Sequence, residues 1–339
     1  GGLVLCGGSL LSAVAPSLWL LYVARLMVGF GAASIYLSIT KETSRIYPNS
    51  FAMMLGFVMV GGYLGGVMGN APFIAGVQMM GWQQALLLVG GIATLIYLAY
   101  AGLKCTLPMP EVVQTAKFDY HRFFEVLKVR QNIHILVCGG FPFGLYFAIQ
   151  SIFGKKFLED YSGMNPESAG WVLTALMVIG AVNSLLAPAL SKMLKNRRRP
   201  LMLFSGVGTA AAFLLIVGCL LSGVHSPWLI SGAFILLAFA GNISPVIVAL
   251  VRESNHNDIW GVMLSVYAFL AYIVTAVIGH STGWIMELFP PQVVDGVHIY
   301  GNDSYLAAFA VLLVIALFAA YSGFRLKESN GKDISNEIK

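Results

Sequence analysis

The chain is 339 residues long, 58% hydrophobic and only 10% charged, with a mean hydropathy of +0.79 and a formal charge of +5. A soluble domain carries about 25% charged residues, so this composition excludes a water-soluble globule and calls for a lipid bilayer as partner. The positive charge is confined to a few loops, which excludes a nucleic-acid surface as well.

Ten apolar runs are expected to cross the hydrocarbon: 1–16, 18–40, 51–78, 82–103, 133–154, 168–190, 200–222, 227–250, 260–288 and 304–324. Residue 1 already lies in an apolar run, with no starting Met and no leader-like segment, so the first run is expected to be the remainder of a clipped helix. The longest connection, 105–132, carries Phe118, Phe123, Val126, Leu127 and Arg130 at helical spacing. That pattern predicts an amphipathic helix lying on the membrane face.

Basic residues sort by side. Lys41 and Arg45 follow the second run, and Lys104, Lys117, Arg122, Lys128 and Arg130 lie in or beside the long connection. Lys192, Lys195 and Arg197–Arg199 follow the sixth run; Arg252 follows the eighth; Arg325, Lys327, Lys332 and Lys339 lie in the tail. Only Lys155 and Lys156 fall on the opposite side, and Arg25 alone sits inside a run. The asymmetry predicts that the basic side, with the C-terminus, is cytoplasmic in a bacterial inner membrane.

Arg25 is the charge that a membrane span tolerates least, which makes it a candidate for substrate binding or coupling. Gly29, Ala32, Tyr36 and Thr40 share its helix face, which adds Tyr36 to the candidates. Every acid falls in a loop, in the tail or at a helix end, and His134 and His280 read as hydrogen-bonded structural residues. The four cysteines, Cys6, Cys105, Cys138 and Cys219, lack metal-ligand spacing and read as small buried hydrophobes. No cofactor or metal is expected. Asn242, Ser244 and Pro245 interrupt one run, and Pro142 interrupts another with Tyr146 and Gln150 beyond it. Interrupted helices often carry substrate contacts in transporters, so Asn242, Tyr146 and Gln150 complete the candidate set. Asn70 and Asn183 read as ties between helices.

Three segments carry a family resemblance. Leu21–Ala33, with Arg25 four residues before Gly29 and then Gly31, resembles the fourth-helix signature of the major facilitator superfamily. Gly61, Gly62, Gly65, Gly66, Gly69 and Pro72 resemble its glycine-rich fifth helix, with Gly61, Gly65, Gly69 and Pro72 as expected helix-packing positions. Leu190–Pro200 is similar to its basic loop between helices eight and nine, although Lys192 stands where the family pattern has Asp.

The resemblance implies an all-α polytopic membrane protein, a bundle of two six-helix halves of which family helices three to twelve are present. The expected organisation is 1–104 as the rest of the N-terminal half, 105–132 as a cytoplasmic linker, 133–325 as the C-terminal half and 326–339 as a tail. The implied activity is secondary transport of a small solute, anionic or zwitterionic in view of Arg25, by alternating access in a monomer. A transporter of neutral or hydrophobic compounds and a non-transporting sensor on the same fold are the alternatives. Catalysis is not expected, since no HExxH or GxSxG and no P-loop occurs.

Overall fold

The computed structural model describes residues 1–69, 71–106, 120–256, 259–290, 292–294 and 297–337. Its helices are α1 (Gly2–Val14), α2 (Leu18–Ile46), α3 (Phe51–Met68), α4 (Ala71–Met80), α5 (Trp82–Thr106) and α6 (Tyr120–Lys128). A continuous helical run follows from α7 (Arg130–Ile135) through α8 (Phe141–Ala148) to α9 (Gly154–Asp160), joined by wider π-type stretches at Leu136–Gly140 and Ile149–Phe153. Then come α10 (Pro166–Met193), α11 (Arg199–Ser222), α12 (Pro227–Gly241), α13 (Ser244–Ser254), α14 (Trp260–Glu287) and α15 (Asn302–Arg325). A short antiparallel hairpin, β1 (Gln292–Val294) with β2 (Val297–Ile299), precedes α15.

Among the described residues nine helical runs are long and apolar enough to cross a membrane, and Gly2–Val14 is a shorter apolar helix. The chain is therefore an all-α polytopic membrane protein, with the hairpin as its one described departure. Two helices differ from the sequence reading: one run expected to be continuous is broken, and one expected to be interrupted is not. The run 51–78 is two helices, because α3 ends in its glycines and Pro72, near the start of α4, lacks the N–H that would continue the ladder. Pro142 does not interrupt its helix. It follows the π-type turn at Leu136–Gly140, where the loosened ladder has no need of the missing donor. Asn70 and residues 107–119 of the 105–132 connection, Phe118 among them, lie outside the described residues; the described part of the expected amphipathic helix is α6, which turns Val126 inward and Phe124 and Glu125 outward.

Contacts divide the chain into two units: Gly1–Asn49 with Met68–Asp119, and Ser50–Val67 with Tyr120–Lys339. In the first, α1 packs on α2 through glycine. A side chain on Gly8 would meet the Ala24 carbonyl at 2.8 Å, and one on Gly31 would meet Leu5 at 2.6 Å. Such closeness suits helices that gain little from hydrophobic burial against each other in lipid.

The second unit is held at both ends by polar clusters and in the middle by apolar packing. Phe157, Phe213, Phe234, Tyr305 and Phe309 are fully covered and form its aromatic centre. At one end, the Asp160 carboxylate pairs with Lys156 at 2.8 Å and accepts hydrogen bonds from the Tyr305 hydroxyl at 2.8 Å and the Tyr300 amide at 3.2 Å. Tyr161 donates to the Cys219 carbonyl at 2.8 Å, and burial pushes its phenol above the ordinary value.

At the other end, Arg198 pairs with Glu253 at 2.7 Å with both side chains largely covered. The tail folds back over this pair. Ser329 donates to Glu253 at 2.6 Å, the Ile334 amide donates to the Glu253 carbonyl, and Glu328 accepts from the amides of Arg198 and Arg199 where α11 begins. Gln131 and Lys327 exchange hydrogen bonds at 3.1 and 3.0 Å, and the amides of Asn132 and Asn255 pair reciprocally at 2.8 and 2.9 Å. Hydrogen bonds from Ser335 hold the Asp333 carboxyl below the usual carboxylate range. Segments beside Arg130, Arg197–Arg199 and Arg252 thus meet the tail at one end, opposite Lys155 and Lys156.

Between the ends, α11 lies against α15 with the backbones almost touching. A side-chain carbon at Gly206 would stand 2.7 Å from Ala320 Cα, inside any normal contact. Gly206→Ala should therefore force the two helices apart and destabilise the protein by about 1–3 kcal/mol. The check is a drop in the apparent Tm of the purified protein, with the exposed Gly218→Ala, which meets nothing among the described residues, unchanged.

Candidate functional site

In the second unit, α12 stops at Gly241 and α13 starts at Ser244, so Asn242 and Ile243 leave the helical backbone in the middle of a span. Their backbone angles (φ −108, ψ 56 and φ −110, ψ 23) open the ladder, and Pro245 at the start of α13 cannot close it. In hydrocarbon the released groups need partners from side chains. Asn183 on α10 supplies them: its amide donates to the carbonyls of Phe239 at 2.7 Å and Asn242 at 2.9 Å. Asn183 therefore is the tie between helices that its polarity suggests.

The Asn242 side chain is equally committed. It is 1% exposed; its nitrogen donates to the Ala238 carbonyl at 2.8 Å, and its oxygen accepts from the Tyr63 hydroxyl of α3. Tyr146 stands beside it. A side chain on Gly241 would come within 2.7 Å of Tyr146 Cβ and 3.0 Å of the Pro142 carbonyl, so glycine lets α8 and α12 close up. The fully buried Tyr146 hydroxyl donates to the Leu176 carbonyl of α10 at 3.1 Å. Gln150 lies one turn on, buried in the second π-type stretch, where it accepts from the Ser151 hydroxyl. The structure thus brings Tyr146 and Asn242 together, with Gln150 nearby.

Tyr63 was not among the residues singled out from the sequence. Its signal was available: it is the one polar side chain in Phe51–Met68, surrounded by glycine and aliphatic residues. Close approaches of α3 occur at Gly56, where a side chain would stand 2.2 Å from the Ser184 carbonyl, and at Gly66, 3.3 Å from Met177. At Gly61 and Gly65, named from the sequence for packing, nothing among the described residues lies within 4 Å of such a carbon. Gly69 and Pro72 are exposed on either side of the break between α3 and α4.

Arg25 and Tyr36 belong to the first unit, on α2. Arg25 is exposed and lines an open concavity of about 930 Å³ with Val4, Tyr22, Leu26, Gly29 and Phe30, so its guanidinium faces mostly apolar neighbours. It makes no hydrogen bond or ion pair among the described residues. Tyr36 is half-buried three turns further along the helix.

Two comparisons bear on these helices. The sequence profile described as Major Facilitator Superfamily matches residues 1–212, well over half of the chain. The chain belongs to the major facilitator superfamily. A Bacillus subtilis (strain 168) protein described as the uncharacterized MFS-type transporter YcxA is 27% identical over 225 residues, 64% of this chain and 52% of that protein. The chain thus aligns with about half the length of the relative it matches.

For a member of this superfamily the polar groups around Asn242 fall where a transporter can use them, inside the span and beside a helix break. The same groups are structural necessities. Asn183→Leu should leave two carbonyls at the break without a donor and cost about 1–3 kcal/mol. The expected readout is a lower Tm and faster hydrogen exchange in peptides covering 239–246, with peptides from α5 unaffected.

Proposed function

We propose that this superfamily member is a secondary transporter of a small anionic or zwitterionic solute, working by alternating access in a bacterial cytoplasmic membrane. The observation that carries the solute class is Arg25: a cation inside a span, exposed beside a concavity, with no acid bound to it among the described residues. Holding an unpaired charge there is costly unless something is gained by it. An anionic group on the solute would neutralise the guanidinium, and the apolar lining from Val4, Leu26 and Phe30 would take the solute's uncharged part. Tyr36 on the same helix, and Tyr146, Gln150 and Asn242 in the second unit, are proposed as further residues for substrate binding or coupling. Selection of neutral or hydrophobic solutes is the competing reading, favoured only by that apolar lining.

The proposed orientation puts the end bearing Arg198, Glu253 and the tail in the cytoplasm. It is supported by the distribution of the basic residues, and by the contacts that Arg198, Arg199, Glu253 and Gln131 make with the tail at one end of the second unit. In a background with the four cysteines replaced by Ala, Lys195→Cys and Lys327→Cys should react with a membrane-impermeant maleimide only after cells are permeabilised, and Lys155→Cys without it. Labelling of position 195 or 327 in intact cells would reverse the orientation.

Solute class is tested in proteoliposomes with a panel of radiolabelled carboxylates, phosphate esters and amino acids. Arg25→Ala should lower uptake of the transported compound at least about tenfold, since one lost charge-assisted interaction is worth roughly 1.5–3 kcal/mol. Arg25→Lys should restore little, because an ammonium lacks the guanidinium's fork of donors. Uptake unaffected by Arg25→Ala at equal Tm would remove the reason for an anionic solute.

A further inference from the structure

The helix that does not stay with its sequence neighbours is α3. In the register argued from the sequence it is the superfamily's fifth helix and belongs to the N-terminal half with α2 and α5. In the structure, Ser50–Val67 clusters with the second unit instead. Its contacts there run along its length. Phe51 meets Trp260 edge to face at 6.4 Å between centroids and lies 5.4 Å under the Arg252 guanidinium. Gly56 allows the Ser184 backbone to pass, and Gly66 rides on Met177. Gly61, Gly62 and Gly65, which meet nothing among the described residues, leave part of its surface smooth.

Tyr63 is the exception to that smoothness. Its ring sits on the bare backbone of α10 at Gly180, where a side chain would stand 2.7 Å from ring carbon Cε1, and it packs with Met177 and Ala181. Its hydroxyl crosses to Asn242 at the break between α12 and α13. Glycine contacts and edge contacts tolerate sliding; a hydrogen bond made in a buried, low-dielectric setting does not.

We propose that Tyr63 is a positioning residue for transport, a releasable tether that holds α3 on the α12–α13 break in one conformer and lets go in the other. The proposal rests on the alternating-access reading. If the half that contains α2 and α5 rocks relative to the half that contains α10–α15, and α3 travels with α2 and α5 as the sequence register implies, α3 moves over α10 and α12. The bond to Asn242 is a directional contact in its way. Release has a second effect. Asn242 Oδ1 is occupied by Tyr63 in this structure, while the side-chain nitrogen stays on Ala238. Letting go therefore frees an acceptor, and a group that takes the place of the Tyr63 hydroxyl must donate: a hydroxyl, an amide N–H or an ammonium.

The test uses the full chain, without solute, in lipid nanodiscs. Spin labels are placed on Arg45→Cys and Arg197→Cys, both exposed, in the background lacking the native cysteines, and their distance distribution is measured by electron–electron double resonance. Tyr63→Phe removes only the hydroxyl. It is expected to change the ratio of the distance populations by about two- to tenfold, the worth of one neutral hydrogen bond. Hydrogen exchange is expected to rise in 239–246 and in α3 while α11 and α15 keep their protection. An unchanged distance distribution overturns the proposal, whether exchange is unchanged too or rises evenly across the second unit, which would make Tyr63 merely structural. Neither measurement involves uptake, so failure of the Arg25 experiments and failure of this one are separate results.

Discussion

A helix that breaks in hydrocarbon has released backbone groups and no water to meet them. The arrangement around Asn242 is an answer to that constraint, and much of the second unit is organised by it. Asn183 must lie within reach of two carbonyls, which fixes α10 against α12. Asn242 must turn its amide back on Ala238, which leaves its oxygen pointing away from its own helix and calls for a donor from another. Gly241 and Gly180 then admit Tyr146 and Tyr63 to the positions that these bonds define. A polar break, two asparagines and two tyrosines thus set the spacing of α3, α8, α10 and α12. Apolar packing fills in around them.

The ends of the same unit are governed differently. There the polar groups are charged, near the limits of the spans, and bound in networks rather than pairs. The Glu253 carboxylate is shared by Arg198 and Ser329, with the Ile334 amide on its backbone carbonyl, and the Asp160 carboxylate by Lys156, Tyr305 and Tyr300. A carboxylate bonded by several groups recovers what burial removes from it. The two clusters act as end plates, and among the described residues between them the helical winding changes in the α7–α9 span and breaks in the α12–α13 span.

Much of this was legible in the sequence, for a physical reason. Spans are readable because lipid imposes a one-dimensional rule, an apolar run of sufficient length, and the superfamily assignment followed from Arg25 and the glycines of α2 and α3. The break at Asn242 was legible because Asn, Ser and Pro in close succession are too costly in a buried helix to be accidental. What could not be read was pairing across the chain. Hydropathy places Tyr63 in a span, but only the fold puts its hydroxyl on a residue 179 positions away. Arg25 stood out for its charge, and only the fold shows that no acid is bound to it among the described residues. The tail read as a polar end, because the groups that receive Ile334 and Ser329 come from distant segments. Pro142 misled for a related reason: a proline signals a missing donor, and whether the missing bond matters depends on how wide the turn around it is.

The π-type stretch at Ile149–Phe153 has a consequence for how this protein can vary. A wide turn houses one residue more than the α-helix needs, so deleting a single residue there would restore regular winding. Because the wide turn takes up that residue without advancing further around the axis, everything beyond would keep its facing. Tyr146 lies before that stretch and Asp160 after it, each tied to a different set of neighbours. The stretch therefore lets the middle of the span and its end keep their separate ties with or without the extra residue. A one-residue deletion within 149–153 should be better tolerated than one in the regular turns of α8, although the residues themselves look like ordinary membrane-helix composition.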